Sequence, residues 1–470
     1  MTNTVESSSF IFSKFKQIQD QLLKDNNVVG DWSFKNYVFV KSVRELKKLF
    51  FIDVNDGSII DSVQTVFFKD KLSNEEIKLL KSLTSYSVIY IDAKIKYNLK
   101  NNNFELIGSS FKIKKIIKNN PIQKQVLTLD FLRTYPEYRI FTKTFYAIFK
   151  IRSKLFHLIN QFLSSEDYLY VNSPIITNND AEGSGEVFQI NTSVDPNFFQ
   201  DKGFLTVSGQ LHIEPFAMAF DQVYIFSPCF RSEKSNTSKH LSEFWMLELE
   251  AKNKNSKDMI LLMQKMINFI ASYLLKDCQT ELKHLAEKYD SALIDRIEKW
   301  QTMKINFLTY TEAVEKINEY SNKNKVPNLA IKWGEDLGSV HEKFLTSTFF
   351  NDEFVAILQF PKEIKPFYMK SPDTNEPVYN CYDIIAPFVG EIVGGSERED
   401  DFELLRNNFE KTSKTTDTSK IEWYLNLRNH AYYKLVGLGL GFERLVMLFT
   451  AQSNIKDVIP YPRFYNSFLK

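Results

Sequence analysis

Arginine is scarce in this chain: of 59 basic side chains in 470 residues, only 11 are arginine, beside 15 glycines, 14 prolines and three cysteines. Cys229, Cys278 and Cys381 lie far apart without Cys-x-x-Cys spacing, which argues against a disulfide scaffold and structural zinc and points to a reducing compartment, the cytosol. Glycine and proline are too few for collagen or a low-complexity chain. Uncharged apolar runs such as Phe354–Phe360 fall far short of the roughly 20 residues that cross a bilayer, so no membrane partner is expected. Met1–Ser9 has no basic residue ahead of an apolar run and therefore no visible secretory signal.

What remains is 43% hydrophobic and 25% charged, enough for a sizeable core at more than one domain's usual length. The net charge of +1 conceals an asymmetry, because residues 1–120 carry 19 Lys+Arg against 13 Asp+Glu. A basic excess suits a polyanion such as nucleic acid, and suits a solvated basic face equally well. Residues 10–24 read as a short helix or arm. From Val28 to about Lys115, short β-branched and aromatic runs (Tyr37–Val40, Phe50–Val54, Ser87–Ile91, Phe104–Ile107) and the turn Asn55-Asp-Gly-Ser58 predict a small β-barrel. Lys118–Leu127 reads as a polar connector, and a helix over Thr142–Phe162 opens a larger domain. In it, strands are expected around Tyr168–Ile176, Gln222–Arg231 and Phe244–Leu249, with helices at 257–275 and 279–299 and from Phe442. Asn101–Asn103 and Lys411–Lys420 read as loops.

A chain that uses lysine wherever a positive charge suffices makes its arginines informative, since ammonium cannot replace a guanidinium that grips phosphate or carboxylate in bidentate fashion. Phe230-Arg-Ser-Glu233 follows a strand, Val223–Phe226, and precedes a polar loop, His240 and Glu243–Glu248. A hairpin carrying Arg231 and Phe244 can hold a phosphate and an aromatic base together; it can also carry a plain surface salt bridge. Gly437-Leu-Gly-Leu-Gly-Phe-Glu-Arg444 is neither a dinucleotide-binding G-x-G-x-x-G turn nor a P-loop. A glycine strand opening onto a helix N-terminus, with Arg444 in its first turn, makes an anion site, unless the glycines serve close packing alone. Between these segments, Asp383 and Glu391 could share a Mg²⁺ that bridges phosphates, and Gly394-Gly-Ser-Glu-Arg398 supplies a third arginine.

In this order the segments resemble the class II aminoacyl-tRNA synthetases of the aspartyl/asparaginyl branch, the asparaginyl members most of all. Phe230–Trp245 is similar to the family's second signature and Gly437–Arg444 to its third. Arg152–Tyr170, running into Val171-Asn-Ser-Pro174, is similar to the first, the dimerisation motif. Asp180–Glu186, Thr206–Leu211, Pro361–Lys365 and Gly390–Arg398 extend the likeness. The resemblance implies an α+β catalytic domain on a mainly antiparallel sheet at 136–470, a linker at 118–135 and an N-terminal OB-fold β-barrel at 1–117 that reads the anticodon.

The activity it implies has two steps, formation of asparaginyl-adenylate from ATP and asparagine and then transfer to tRNA(Asn), in a cytoplasmic homodimer with Mg²⁺ as cofactor. By that resemblance Arg231 holds the α-phosphate, Phe244 stacks on adenine, His240 and Arg444 reach the γ-phosphate, and Glu233 orients ATP or the tRNA end. Gly441 belongs to the ATP site. Asp383 and Glu391 are the implied Mg²⁺ ligands, Glu182 takes the substrate ammonium and Gln210 orients the amino acid. Where aspartyl relatives carry a lysine this chain has Ile213, followed by Glu214. A carboxylate there accepts from a side-chain amide and repels aspartate, while Arg398 donates to the amide oxygen. Candidate base-stacking residues on the barrel are Phe34, Tyr37, Phe39, Phe50 and Phe51. An aspartyl or relaxed-specificity ligase, and a catalytically silent tRNA-binding or amino-acid-sensing paralogue, remain alternative readings.

Overall fold

A computed structural model describes residues 10–24, 32–98, 103–122, 127–178, 186–192, 195, 198–199, 202–374, 376–412, 419–430 and 433–468. The expected ammonium ligand Glu182, with the segment around it, lies outside the described residues, as do parts of the 118–127 connector and of the 101–103 and 411–420 loops. The chain divides into two compact units, Met1–Tyr146 and Ala147–Lys470.

The first unit opens with strand β1 (Phe10–Phe12) and helix α1 (Phe15–Lys24), where the sequence predicts a helix or arm. Strands β2 (Trp32–Glu45), β3 (Leu49–Asn55) and β4 (Val63–Phe68), helix α2 (Asn74–Lys81), and strands β5 (Val88–Asn98) and β6 (Asn103–Lys115) follow. The strands pair in the order β1-β2-β3-β4-β6-β5, and β5 returns to β2, so β2 to β6 close into a five-stranded barrel of the OB kind. Period-two alternation turns Phe34, Val38, Val40, Phe50, Ile52 and Val54 inward into one apolar core, shared with Phe67, Ile89, Ile91 and Leu106. In the predicted turn, Gly57 adopts a positive φ of 81° and its N–H donates to Asn55 Oδ1, so a backbone only glycine accepts readily sits where the sequence signalled one. Two short helices complete this unit, α3 (Leu129–Arg133) and α4 (Pro136–Arg139), and helix α5 (Lys143–Ser165) begins in it.

In the second unit, strands β7 (Leu169–Tyr170), β8 (Ile176–Thr177), β9 (Gln189–Ile190) and β10 (Gly203–Leu205) are short, and helix α6 (Gln210–Phe220) leads into the hairpin β11 (Gln222–Phe230) and β12 (Glu243–Lys252). Helices α7 (Ser256–Asp277), α8 (Gln279–Lys288) and α9 (Leu293–Trp300) come next, then β13 (Asn306–Thr309), α10 (Tyr310–Asn324), α11 (Ser339–Lys343), β14 (Val355–Leu358), β15 (Cys381–Ala386) and β16 (Gly390–Glu397). The last elements used below are α12 (Phe402–Thr412), α13 (Glu422–His430), β17 (Leu435–Gly441) and α14 (Phe442–Thr450). Eight strands form one sheet in the order β13-β14-β15-β16-β17-β12-β11-β7, antiparallel throughout except for the two edge pairs. The result is the α+β domain on a mainly antiparallel sheet that the resemblance implies.

Two local expectations need correction. The helix expected over 279–299 is two helices, because Asp290 breaks the run and its side chain accepts from Ala292 N–H at the start of α9. The strand expected over 168–176 reduces to β7 and β8, since Val171–Ile175 contains Pro174 and makes no ladder. Helix α7 has the length and apolarity to cross a membrane, but ten of its side chains are buried in this unit, where it packs on β15, β16 and β17.

Candidate active site

The floor of the site is a consequence of alternation. In β17 the glycines 437, 439 and 441 share one face and Leu438 and Leu440 the other, where the leucines are buried. β12 pairs with β17 so that Met246, Glu248 and Glu250 lie opposite Gly441, Gly439 and Gly437. On the other side of β17, Gly394 and Ser396 of β16 lie opposite Gly439 and Gly437, and Asp383 of β15 lies opposite Gly394. Four antiparallel strands thus present acids and bare backbone on a single face. A Cβ on Gly437 would overlap the Glu250 carboxylate and the Arg398 guanidinium, and one on Gly439 would meet Met246 Cε at 2.5 Å.

At one end of this floor lies a cleft lined by Arg231, Glu233, Lys239, His240, Phe244, Met246, Glu391, Gly439, Gly441 and Arg444. All seven residues expected at an ATP site are among them. Arg231 follows β11 directly and its N–H bonds to Ser242 O at 3.0 Å, extending the hairpin ladder by one step. Its guanidinium therefore stands 5.3 Å from the Phe244 ring centre on the next strand, cation and aromatic face side by side. His240 Nδ1 lies 2.6 Å from Thr237 Oγ1, and Nε2 lies 3.8 Å from Glu233. Arg444 in the first turn of α14 donates to the Glu391 carbonyl at 2.5 Å, and its Nη1 is 3.8 Å from the Glu391 carboxylate.

The carboxylates Asp383 and Glu391 meet over Gly394. The β15–β16 register slips at Ile384/Ile385, which leaves Ile392 as an extra residue and lets Glu391 and Gly394, three apart, share a face. Glu391 Oε1 and Asp383 Oδ1 lie 3.3 and 3.5 Å from where a Gly394 Cβ would stand. Lys365 donates to Asp383 Oδ2 at 2.6 Å. Burial, with Glu391 adding to it and Lys365 opposing, pushes the Asp383 carboxyl up to about 7. Among the described residues no group of three or more His, Cys, Asp or Glu side chains could enclose a metal. Two hard oxygen donors that meet over one glycine, of which Glu391 lines the cleft and Asp383 does not, fit a Mg²⁺ completed by substrate oxygens and do not form a cage of their own.

At the other end of the floor the charges are buried. Arg398 is 3% exposed; it bonds both Glu250 oxygens, through Nη2 and, at 3.2 Å, Nε, and donates through Nη1 to Ser396 Oγ at 2.7 Å. It is not part of the cleft lining with Arg231 and Arg444; it lies along the same sheet face beside Gly437. Glu248 joins the two ends, accepting from Ser208 Oγ and from Gly209 N–H at 2.9 Å. Burial pushes its carboxyl up, and the charges of both Arg231 and Arg398 pull it down. Glu214 is fully buried. Its carboxylate accepts from Gln210 Nε2 (3.1 Å), Tyr424 OH (2.8 Å) and Arg428 Nη2 (2.8 Å), and Arg398 Nε is 3.7 Å away.

Sequence reasoning passed over Glu248, Glu250, Lys365, Tyr424 and Arg428. Signals for three of them were present. Two glutamates at period two in a strand otherwise apolar on its buried face need cationic partners, and the scarcity argument, extended to all 11 arginines, reaches Arg428. Tyr424 and Lys365 carry no comparable mark.

Comparison with known proteins agrees with this geometry. Residues 129–465 match the profile of the tRNA synthetases class II (D, K and N). The asparagine–tRNA ligase of Mycoplasma capricolum subsp. capricolum is 40% identical over 449 residues, covering 94% of this chain and 98% of that protein. That of Clostridium acetobutylicum is 37% identical, covering 94% and 97%. The crystal structure of asparaginyl-tRNA synthetase from Pyrococcus horikoshii complexed with asparaginyl-adenylate superposes with a TM-score of 0.84 at 25% identity, covering 98% of this chain and 99% of that one.

Proposed function

The chain belongs to the class II tRNA synthetases (D, K and N), and we propose that within this family it joins asparagine to tRNA(Asn), through an asparaginyl-adenylate formed from ATP. The observation that carries the choice of amino acid is Glu214: a fully buried carboxylate in ion-pair contact with guanidinium groups, next to Arg398, on the same sheet face as the nucleotide cleft.

In the first step the asparagine carboxylate attacks the α-phosphorus and pyrophosphate leaves. The attacking group is already an anion, so the site needs no general base; it needs alignment and positive charge where negative charge gathers. Arg231 is proposed to hold the α-phosphate while Phe244 stacks on adenine, a pairing that their side-by-side placement supports. His240 and Arg444 receive the γ-phosphate, Arg444 in the first turn of a helix whose N-terminus opens on the cleft beside Gly441, and Glu233 orients the nucleotide. Asp383 and Glu391 would hold Mg²⁺, which supplies neutralising charge to the phosphates when bound. Lys365 keeps one Asp383 oxygen occupied and directs the other toward Glu391.

For the amino acid, Gln210 orients the substrate and Glu182 takes the ammonium. Glu214 accepts from the side-chain amide; its three hydrogen bonds leave one acceptor position on Oε2. Arg398 uses three of its five N–H groups on Glu250 and Ser396, which leaves donors for the amide oxygen. Aspartate would set a second carboxylate against Glu214 in a buried site, and a polar mismatch of this kind supplies discrimination of about 10⁴-fold without editing. The second step, transfer of the asparaginyl group to the terminal ribose, takes place in a cytosolic homodimer whose barrel at 1–117 reads the anticodon, joined by a linker at 118–135 to a catalytic domain at 136–470. The basic excess of the N-terminal segment and the exposed Tyr37 support that use of the barrel.

The test is ATP–pyrophosphate exchange and tRNA charging with asparagine and aspartate in parallel. Asparagine is expected to be favoured by roughly 10³-fold or more in kcat/KM. Comparable charging with aspartate overturns the assignment of amino acid, and absence of exchange by folded protein with Mg²⁺ overturns the enzymatic reading.

A further inference from the structure

The buried end of the site contains more charge than the reading above uses. Helix α13 inserts Tyr424 and Arg428, one turn apart, so that both reach Glu214 across 210 and 214 residues of sequence. Tyr424 is fully buried and Arg428 is 8% exposed. The tyrosine OH donates to Glu214 Oε1 and the arginine Nη2 to Oε2, both at 2.8 Å. Arg428 is itself held in place: Nε donates to the Glu399 carbonyl at 2.9 Å, Nη2 also bonds Tyr424 OH at 3.0 Å, and the guanidinium lies 4.5 Å from the Tyr424 ring centre.

The charged and titratable groups facing Glu214 are Arg398, Glu250 of β12, and Tyr424 and Arg428 of α13, with Gln210 beside it on its own helix. Of the two guanidiniums, Arg398 is taken by Glu250 in bidentate contact, and its nearest approach to Glu214 is 3.7 Å. The cation that balances Glu214 is therefore Arg428. With Gln210 and Tyr424 on Oε1 and Arg428 on Oε2, the carboxylate is fixed in one orientation, its open acceptor position on Oε2 held at a set point. Without Arg428 or Tyr424 the carboxylate is free to turn, and the acceptor for a side-chain amide loses its place.

We propose that Arg428, seconded by Tyr424, is a positioning residue that fixes the orientation of the Glu214 carboxylate and thereby sets the preference for a side-chain amide over a carboxylate. The inference rests on the reading, given above, that Glu214 faces the substrate side chain. It assigns part of the selectivity to a helix that lends no residue to the cleft lining.

The experiment measures ATP–pyrophosphate exchange with asparagine and with aspartate for the full chain and for Tyr424→Phe, Arg428→Met and Arg428→Lys, each also combined with Glu214→Gln. Tyr424→Phe and Arg428→Met are expected to lower the asparagine:aspartate ratio of kcat/KM by about tenfold, through a higher KM for asparagine more than a lower kcat. Arg428→Lys restores part of the ratio because it returns the charge without the fork. In the Glu214→Gln background neither substitution should move the ratio more than about twofold, since residues acting through one carboxylate do not add. Tyr424→Phe keeps the ring and decides the matter alone where Arg428→Met fails to fold. Unchanged ratios in the folded variants, or equal falls with and without Glu214, overturn the positioning role. A Glu214→Gln protein with an unaltered ratio removes instead the reading of Glu214 on which the proposal rests.

Discussion

Lys41 shows how burial alone changes a side chain. It sits on β2 with its ammonium 4.8 and 4.9 Å from the ring centres of Phe39 and Tyr86, donating to the Phe141 carbonyl at 2.6 Å. Burial, helped by the charge of Lys143, pulls its pKa down to about 8 from an ordinary 10.5. Between about pH 8 and 10.5 the unfolded chain therefore holds more protons at this site than the folded one, and stability from this group rises with pH. Below pH 8 the full penalty of a buried ammonium is present. Lys41→Met should thus gain most on the parent chain at pH 7 and lose most of that relative gain by pH 10, whatever the constant offset from lost contacts. Denaturant midpoints of the two proteins across that range check it; a pH-independent difference would show that Lys41 keeps its proton. Burial also sorts the candidate stacking rings, which the sequence could not do. Phe34 and Phe50 are fully buried in the barrel core and cannot meet a base, whereas Tyr37 is 51% exposed beside Tyr90. An alternation pattern shows that rings line a strand, but which face is inward depends on how the barrel closes.

At the level of elements, the glycine strand β17 makes a graded forecast. A methyl on Gly437 would collide with the Glu250–Arg398 pair, two buried charged groups that cannot withdraw without breaking their hydrogen bonds. On Gly439 it would press on Met246 Cε, the end of a flexible side chain, and on Gly441 the nearest atom beyond the chain neighbours is Arg444 at 3.9 Å. Gly437→Ala should therefore cost about 3 kcal/mol or more of stability and nearly all adenylation, Gly439→Ala about 1 kcal/mol, and Gly441→Ala little. Thermal unfolding and exchange rates across the three variants test the order, and a tolerant Gly437 would mean that the floor is not packed as described. This element was legible in advance because G-x-G-x-G in register with two leucines can only be a strand bare on one side. The helix from 279 to 299 was read too long because Asp290 suits a cap and an exposed helix position alike. Helix α13 gave no warning of its role beyond the scarce arginine it carries. Its site-facing residues come from one end of the chain and Glu214 from the middle, and pairing over such separations is set by the packing of the whole domain.

For the whole molecule, what matters is that each unit has an apolar core of its own. The barrel core spans Phe12 to Leu106, and a large cluster of the second unit spans Val207 to Leu425. Possession of such a core is the condition for a part to fold alone. Every described residue proposed to contact ATP, Mg²⁺ or asparagine lies in the second unit, and the stretch matched to the synthetase family begins at residue 129. A chain of residues 127–470 should keep asparagine-dependent ATP–pyrophosphate exchange within about tenfold of the parent. Its tRNA charging should fall much further. Base stacking on a single-strand barrel contributes roughly 1–3 kcal/mol per base, so the loss of even two stacked bases weakens tRNA binding by about 30-fold or more. The deficit should appear in the KM for tRNA and shrink as tRNA is raised. Loss of exchange together with charging, in a truncated protein that still unfolds cooperatively, would mean that the barrel shapes the adenylation site and is more than a reader of the anticodon.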